Sequence, residues 1–211
     1  MNVNDLAKML GDGCYVLLAI NFFWGLYCVI VGWRRVRQLS IRNQEQQDEF
    51  LEQFMDSLHT HNFSEAAELS ADDDRALPQL AHVAVINRDL GFDPLRQKIT
   101  ELMQRDVLGQ LEYRTSWIAT TIKSGPLLGL FGTVLGMMAA FGKIGEGEKV
   151  DAIQIADEIS IALICTAMGL ATAIPFNFLL ASINVRVRRL QDSLTFGLVR
   201  ILDFFKHEEV A

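Results

Sequence analysis

Two stretches decide the fold of this chain: Gly125-Pro126-Leu127-Leu128-Gly129-Leu130-Phe131-Gly132-Thr133-Val134-Leu135-Gly136, and Ala162-Leu163-Ile164-Cys165-Thr166-Ala167-Met168-Gly169-Leu170 followed by Ala173-Ile174-Pro175. Each stretch lies in a long segment without charge, and each places one threonine hydroxyl among glycines, alanines and bulky apolar residues. Two such segments facing each other would form a dry, closely packed helix pair with a few polar groups inside it. That arrangement is suited to an ion path.

The distribution of charge predicts three membrane spans. Charged residues are absent from Gly13–Trp33, Ser124–Gly142 and Ile159–Val185, which hold 21, 19 and 27 residues. A helix needs about 20 apolar residues to cross a bilayer, and helices satisfy their own backbone groups in lipid. We therefore predict an all-α integral membrane protein with transmembrane helices at 13–33, 124–142 and 159–183. The first is not expected to be a signal peptide, because it has no basic n-region and no small-x-small cleavage site.

The positions of the basic residues predict the orientation of the spans. Arginines follow the first span (Arg34, Arg35, Arg37 and Arg42) and the third span (Arg186, Arg188 and Arg189). The loop between spans two and three is mainly acidic, with Glu146, Glu148, Asp151, Asp157 and Glu158. Basic flanks stay in the cytoplasm. Residues 1–12 and the loop 143–158 are thus predicted to be periplasmic, and 34–123 and 184–211 cytoplasmic.

The cytoplasmic region is predicted to be helical. Leu51, Phe54, Met55 and Leu58 recur at helical spacing. Asp72-Asp73-Asp74 predicts a turn followed by a helix start. From Leu95 onward a long helix is expected to run directly into span two, and the tail after span three is expected to continue as a helix.

Small residues share one face on each of spans two and three. On span two they include Gly129, Gly132 and Gly136, with Thr133 at the border; on span three the face is Ala162, Thr166, Gly169 and Ala173, flanked by Thr172. Small faces let two helix backbones approach closely in a membrane. Pro175 removes one backbone donor and frees a carbonyl near Ala171, a further polar group in the candidate path. Each threonine could instead bond back to a carbonyl one turn away, and both interpretations stay open.

Other classes of function receive little support from the sequence. A net charge of −7 argues against a nucleic-acid partner. The three cysteines have no CxxC spacing, so neither a disulfide framework nor a zinc site is expected. His59-x-His61 lacks a nearby third ligand and is interpreted as part of a solvated helix. Without a Walker or GxSxG motif, the chain is expected to be neither an enzyme nor a cofactor protein.

The two motifs resemble those of the MotA/TolQ/ExbB proton-channel family, most closely its ExbB and TolQ branch. Gly129-Leu130-Phe131-Gly132-Thr133-Val134 is similar to the GLxGTV motif of the second span, and Ala162–Pro175 to the ALxxTAxGLxxAIP motif of the third. The resemblance implies a homopentameric ring in the bacterial inner membrane, surrounding ExbD- or TolR-like single-span partners. A partner aspartate would carry the proton past Thr133 and Thr166, coupling the proton-motive force to work such as biopolymer or protein transport.

One position departs from that branch. The glutamate that usually lies five residues before the third-span threonine is replaced by Ile161, and Glu158 at the outer end of the span is the candidate for an entry role. A sodium-driven, stator-like subunit and a non-conducting membrane scaffold are therefore the alternatives to a proton channel.

Overall fold

A computed structural model describes residues 3–41, 44–145 and 152–210. All regular elements in those residues are helical, as predicted. Seven α-helices follow one another: α1 (Val3–Leu39), α2 (Gln44–His59), α3 (Phe63–Ala71), α4 (Ala76–Ile86), α5 (Phe92–Leu102), α6 (Gly109–Gly145) and α7 (Ala152–Val210). A 3-10 turn at Arg88–Leu90 precedes α5, and a π-helical segment at Met103–Leu108 joins α5 to α6.

Three of the helical segments are long and apolar enough to cross a membrane. They are Gly13–Leu39, Phe92–Gly142 and Ile155–Glu208, and each contains one of the three predicted spans. The expected continuity of the helices into span two and out of span three is confirmed, because α6 and α7 run far past the uncharged segments. Of the predicted loop 143–158, residues 143–145 end α6 and 152–158 begin α7, while 146–151 lie outside the described residues.

The segment between α5 and α6 has a wider turn than the sequence suggests. The N–H of Gly109 donates to the carbonyl of Gln104, five residues earlier. Gly109 permits this turn because a Cβ at that position would stand 3.0 Å from the same carbonyl oxygen. The hydrophobic spacing on either side of the segment follows an ordinary α-helix, so the extra residue in the turn gives no signal in the sequence.

The chain divides into two compact units. Unit 1 comprises residues 3–30 and 115–182, and therefore takes in parts of α1, α6 and α7. Its helices pack through buried small and apolar side chains: Cys14, Leu18, Leu135, Ala140, Ala162, Cys165, Ala173 and Phe176. The opposite faces of α6 and α7 expose large apolar side chains instead, including Leu127, Leu130, Phe131, Val134, Phe141, Leu163, Met168, Ile174 and Phe178. Such a surface suits lipid or neighbouring helices.

Unit 2 comprises residues 31–114 and 183–210. Its core is formed by α2 to α5 with the start of α6 and the end of α7, and it includes Leu51, Phe54, Leu58, Leu77, Leu95, Ile99, Leu194 and Ile201. The predicted stripe on α2 is thus confirmed, although Met55 is only half-buried. Gln47 links α2 to α7 by donating to the carbonyl of Ser193 at 3.1 Å.

The run Asp72-Asp73-Asp74 lies in the connection between α3 and α4, as predicted, and Asp73 contacts Arg75, the residue before α4 begins at Ala76. The carboxylate of Asp73 accepts the backbone N–H of Arg75 at 2.9 Å and also pairs with the guanidinium of Arg75. That side-chain hydrogen bond is the main reason why the pKa of Asp73 lies below its ordinary value. The two contacts fix the entry into α4, where Arg75 is the residue that precedes the first helical turn.

Candidate ion pathway between two closely packed helices

Glycines bring the backbones of α6 and α7 into direct contact. A Cβ at Gly129 would lie 2.7 Å from the carbonyl oxygen of Cys165 and 2.8 Å from the Cα of Thr166. A Cβ at Gly169 would lie 2.5 Å from the carbonyl oxygen of Gly125. Real Cβ atoms do not come so close to backbone atoms, so only glycine fits at these crossing points. The backbones of α6 and α7 therefore lie against each other at Gly129 and Gly169 within unit 1.

The same face continues along α6 toward Gly136. A Cβ at Gly132 would meet the side chain of Cys165 at 3.0 Å and that of Cys14 at 3.4 Å, so α1 also approaches this point. A Cβ at Gly136 would stand 2.5 Å from the Cβ of Ala162. Helices α1, α6 and α7 therefore meet at Gly132, where α6 has no side chain beyond a hydrogen atom.

The hydroxyl groups of Thr133 and Thr166 make different contacts. Thr133 is buried, and its Oγ1 donates to the carbonyl of Leu130 at 2.7 Å. The Oγ1 of Thr166 is enclosed as well, yet it has no hydrogen-bond partner among the described residues. A buried hydroxyl normally finds a partner, and each such exception calls for an explanation.

The other candidate positions in α7 are Thr172, Ala173 and Pro175. Thr172 Oγ1 donates to the carbonyl of Met168 at 2.9 Å. Ala173 is buried against its neighbours, and Pro175 is exposed. Because α7 continues through Pro175, the missing N–H of this proline does not end the helix, and the role of the carbonyl near Ala171 stays a prediction.

Glu158 and Ile161 lie nearer the start of α7. Glu158 is half-buried and is eight residues before Thr166, about 12 Å along a helix. The side chain of Ile161 is exposed, whereas its backbone carbonyl accepts a hydrogen bond from the hydroxyl of Tyr15 at 2.9 Å. The isoleucine that replaces the expected glutamate therefore points away from the helix contacts of this chain.

A polar link between α1 and α6 was not predicted. Asn21 donates to the carbonyl of Thr121 at 3.2 Å and accepts a hydrogen bond from Ser124 Oγ at 2.7 Å. Pro126 lies just beyond, and its missing N–H weakens this turn of α6. Asn21 is the one side-chain amide in the uncharged segment 13–33, and that signal could have identified it.

The segment of α6 before the predicted second span also packs within unit 1. A Cβ at Gly25 would lie 2.5 Å from Cγ2 of Thr121 and 2.6 Å from the ring of Phe176. The rings of Trp24 and Trp117 meet edge to face, with centroids 5.9 Å apart. Residues 115–123, predicted to be cytoplasmic, therefore lie level with the middle of the uncharged segments of α1 and α7.

Comparison with known proteins identifies the same family as the two sequence motifs. Residues 42–195 match the sequence model of the MotA/TolQ/ExbB proton channel family. The Tol-Pal system protein TolQ of Haemophilus influenzae is 36% identical over 89 residues, 42% of this chain and 39% of that protein. The biopolymer transport protein ExbB of Aquifex aeolicus is 39% identical over 85 residues, 40% of this chain and 55% of its own length.

A longer alignment is found with the biopolymer transport protein ExbB of Neisseria gonorrhoeae. It is 30% identical over 129 residues, which cover 59% of this chain and 51% of that protein. The chain thus spans about half, or less, of the length of these curated relatives. Their names agree with the ExbB and TolQ branch that the two motifs indicate.

Proposed function

Since the chain belongs to the MotA/TolQ/ExbB proton channel family, we propose that it is the channel-forming subunit of an inner-membrane energy-transducing motor. Five copies form a ring, with the N-terminus periplasmic and the C-terminus cytoplasmic. Protons move along the interface of α6 and α7 past Thr133 and Thr166. Glu158 and Thr172 flank this route, and the flow of protons drives transport work on the periplasmic side.

The observation that carries this proposal is the hydroxyl of Thr166. Threonines in membrane helices usually bond back to a carbonyl of the preceding turn, as Thr133 and Thr172 do here. The hydroxyl of Thr166 makes no such bond within the described residues, although it is enclosed. Leaving a buried hydroxyl unpaired costs about 1–3 kcal/mol. That cost is understandable if the hydroxyl serves a transient partner, such as a carboxyl group that carries a proton.

The carboxyl group must come from another chain. The uncharged segments 13–33, 124–142 and 159–185 contain no acid, and an isolated ionisable group in lipid is costly and functional when present. We propose that an ExbD- or TolR-like protein with one membrane span supplies an aspartate beside the two threonines. Small residues at Gly129, Gly132, Gly136, Ala162, Gly169 and Ala173 hold α6 and α7 at a fixed separation while that aspartate is protonated and released.

Proton flux into vesicles that contain this protein and its partner tests the proposal. Thr166→Val and Thr133→Val keep the side-chain shape and remove the hydroxyl, and both are expected to lower the flux, Thr166→Val by tenfold or more. Thr120→Val is the matched control, because this exposed threonine of α6 bonds back to Ser116. Flux that is unchanged in both variants would show that the assigned path is wrong and would favour a non-conducting scaffold.

Sodium is the second candidate ion. The observation that favours it is Ile161, which removes the acid expected near the outer end of the path. Hydroxyl and carbonyl oxygens at Thr133, Thr166 and near Pro175 could serve as ligands for a metal cation. Flux that depends on sodium concentration at fixed pH would replace the proton by sodium in this proposal.

A further inference from the structure

Lys123 is a single charge inside an otherwise uncharged stretch of α6. Between Arg114 and Lys143 it is the only charged residue of that helix, and α6 is continuous through it. Nine residues separate it from Arg114, about 14 Å along a helix. Lysine at such a position is rare in membrane helices, and where it occurs it usually has a function.

The depth of Lys123 follows from the contacts of Thr121 and Ser124, which lie on either side of it in α6. Thr121 and Ser124 both bond to Asn21 of α1, and Thr121 also packs against Gly25 and Phe176. On their own helices, Asn21 lies nine residues after the nearest charge, Asp12, and Phe176 lies ten residues before Arg186. Lys123 is therefore level with the uncharged middle of both α1 and α7.

The side chain of Lys123 points away from the packed glycine face. It is exposed and shares its side of α6 with Leu127, Leu130, Val134 and Phe141, which are 42–65% exposed. Among the described residues it has neither an ion pair nor a hydrogen bond. An extended lysine reaches only about 6 Å from its Cα, about half of the distance to the level of Arg114.

A second copy of this chain cannot neutralise Lys123. None of the three uncharged segments supplies a carboxylate, and a like copy at the same depth brings another lysine. Neutralisation requires an anionic group that a different membrane helix carries into the apolar layer. Charge complementarity thus selects one kind of occupant for the face that Lys123 shares with Leu127 and Leu130.

We propose that this face of α6 docks a non-identical membrane helix that carries a carboxylate at the depth of Lys123. The proposal rests on the proposed function only in assuming that such a partner helix exists. The carboxylate is distinct from the proton carrier, because Lys123 lies ten residues from Thr133, about 15 Å along α6. The ion pair fixes the partner in depth while the other carboxyl group works at the threonines.

Synthetic transmembrane peptides test this docking. A donor-labelled leucine-alanine helix carries one aspartate, either at the depth of Lys123 or two turns nearer the cytoplasmic end, and an asparagine version serves as reference. Energy transfer to the acceptor-labelled full chain in vesicles measures association. We expect the mid-depth aspartate peptide to associate about tenfold more tightly than the asparagine peptide. That preference should be lost in Lys123→Met and kept in Lys123→Arg and in the exposed control Lys206→Met.

Three outcomes would overturn the proposal. Equal binding of the aspartate and asparagine peptides, or a preference that survives Lys123→Met, would show that Lys123 does not select a carboxylate. A preference confined to the peptide with the shallower aspartate would show that the ammonium extends to the headgroups instead. Because the assay measures association rather than ion flux, its failure leaves the channel proposal standing, and failure of the flux test leaves this result unaffected.

Discussion

Three threonines near the helix interface have the same chemistry and different surroundings. The hydroxyls of Thr133 and Thr172 donate to carbonyls of their own helices at 2.7 and 2.9 Å. Thr166 lies where Gly129 brings the other backbone against its Cα, and its hydroxyl stays unpaired within the described residues. The local crossing of two helices, rather than the residue type, therefore distinguishes Thr166 from the other two.

Removing the unpaired hydroxyl should stabilise the isolated subunit. Thr166→Val deletes a buried polar group without a partner, and we expect the free energy of unfolding to rise by about 1 kcal/mol. Thr133→Val deletes a hydroxyl that is already satisfied and should lower or barely change it. Thermal unfolding in detergent, followed by circular dichroism, measures both. If Thr166→Val were destabilised as much as Thr133→Val, the hydroxyl would have to be paired in the folded protein.

The ion pair of Asp73 predicts a pH dependence of unit 2. The folded-state pKa of Asp73 is lowered, chiefly by Arg75, so its contribution is present above the ordinary carboxyl pKa and is lost as the pH falls through the lowered value. Asp73→Asn should cost less than about 1 kcal/mol near pH 7, since the pair is partly exposed. The difference should vanish in acid. Unfolding measured from pH 7 down to about pH 2, with exposed Asp74→Asn as control, checks this.

At the scale of whole helices, α6 and α7 can approach closely only because glycine has no Cβ atom. Gly129→Ala and Gly136→Ala would place a Cβ within 2.7 Å of neighbouring atoms, and both should destabilise the protein by several kcal/mol, with Gly129→Ala the worse because backbone cannot move aside. Gly13→Ala meets nothing within 4 Å and should gain up to about 1 kcal/mol from helix propensity. Melting temperatures of the three variants test the difference in sign.

The link from α1 to α6 should be measurable in the same way. Asn21→Leu removes the hydrogen bond between Ser124 Oγ and α1 and takes the amide away from the carbonyl of Thr121, which Ser124 Oγ can still reach at 3.1 Å. Hydrogen bonds between membrane helices contribute on average about 0.6 kcal/mol and at most about 1.7, and we expect a loss in that range. Asn177→Leu, at an exposed position of α7, is the control. An equal loss in both variants would contradict a specific role for Asn21.

For the molecule as a whole, the orientation in the membrane is a prediction that cysteine labelling can check. Cys14, Cys28 and Cys165 are buried and should not react with a membrane-impermeant maleimide. Ser64→Cys adds an exposed thiol in α3, which should react in inside-out vesicles and not in intact cells. Labelling of Ser64→Cys in intact cells would reverse the proposed topology.

The pattern of residues predicted the three long apolar helices and the buried stripe on α2. Each of these follows from the spacing of apolar or small residues along one helix. The partner of each threonine hydroxyl, the wide turn before Gly109 and the depth of Lys123 could not be predicted in this way. The surroundings of the Thr166 hydroxyl and the depth of Lys123 depend on where two helices cross, and a single-helix pattern carries no information about the register between helices. The wide turn lies within one chain segment, where the apolar spacing stays that of an ordinary α-helix.

The glycine face also limits how this protein can change over evolutionary time. At Gly129 and Gly169 the side chain is already a hydrogen atom, so every single substitution there is larger and meets backbone on the other helix. The outward face, with Leu127, Leu130 and Phe131, can exchange one apolar residue for another. Divergence should therefore accumulate on the outer surface, while the inner seam can be altered only by coordinated changes in both helices.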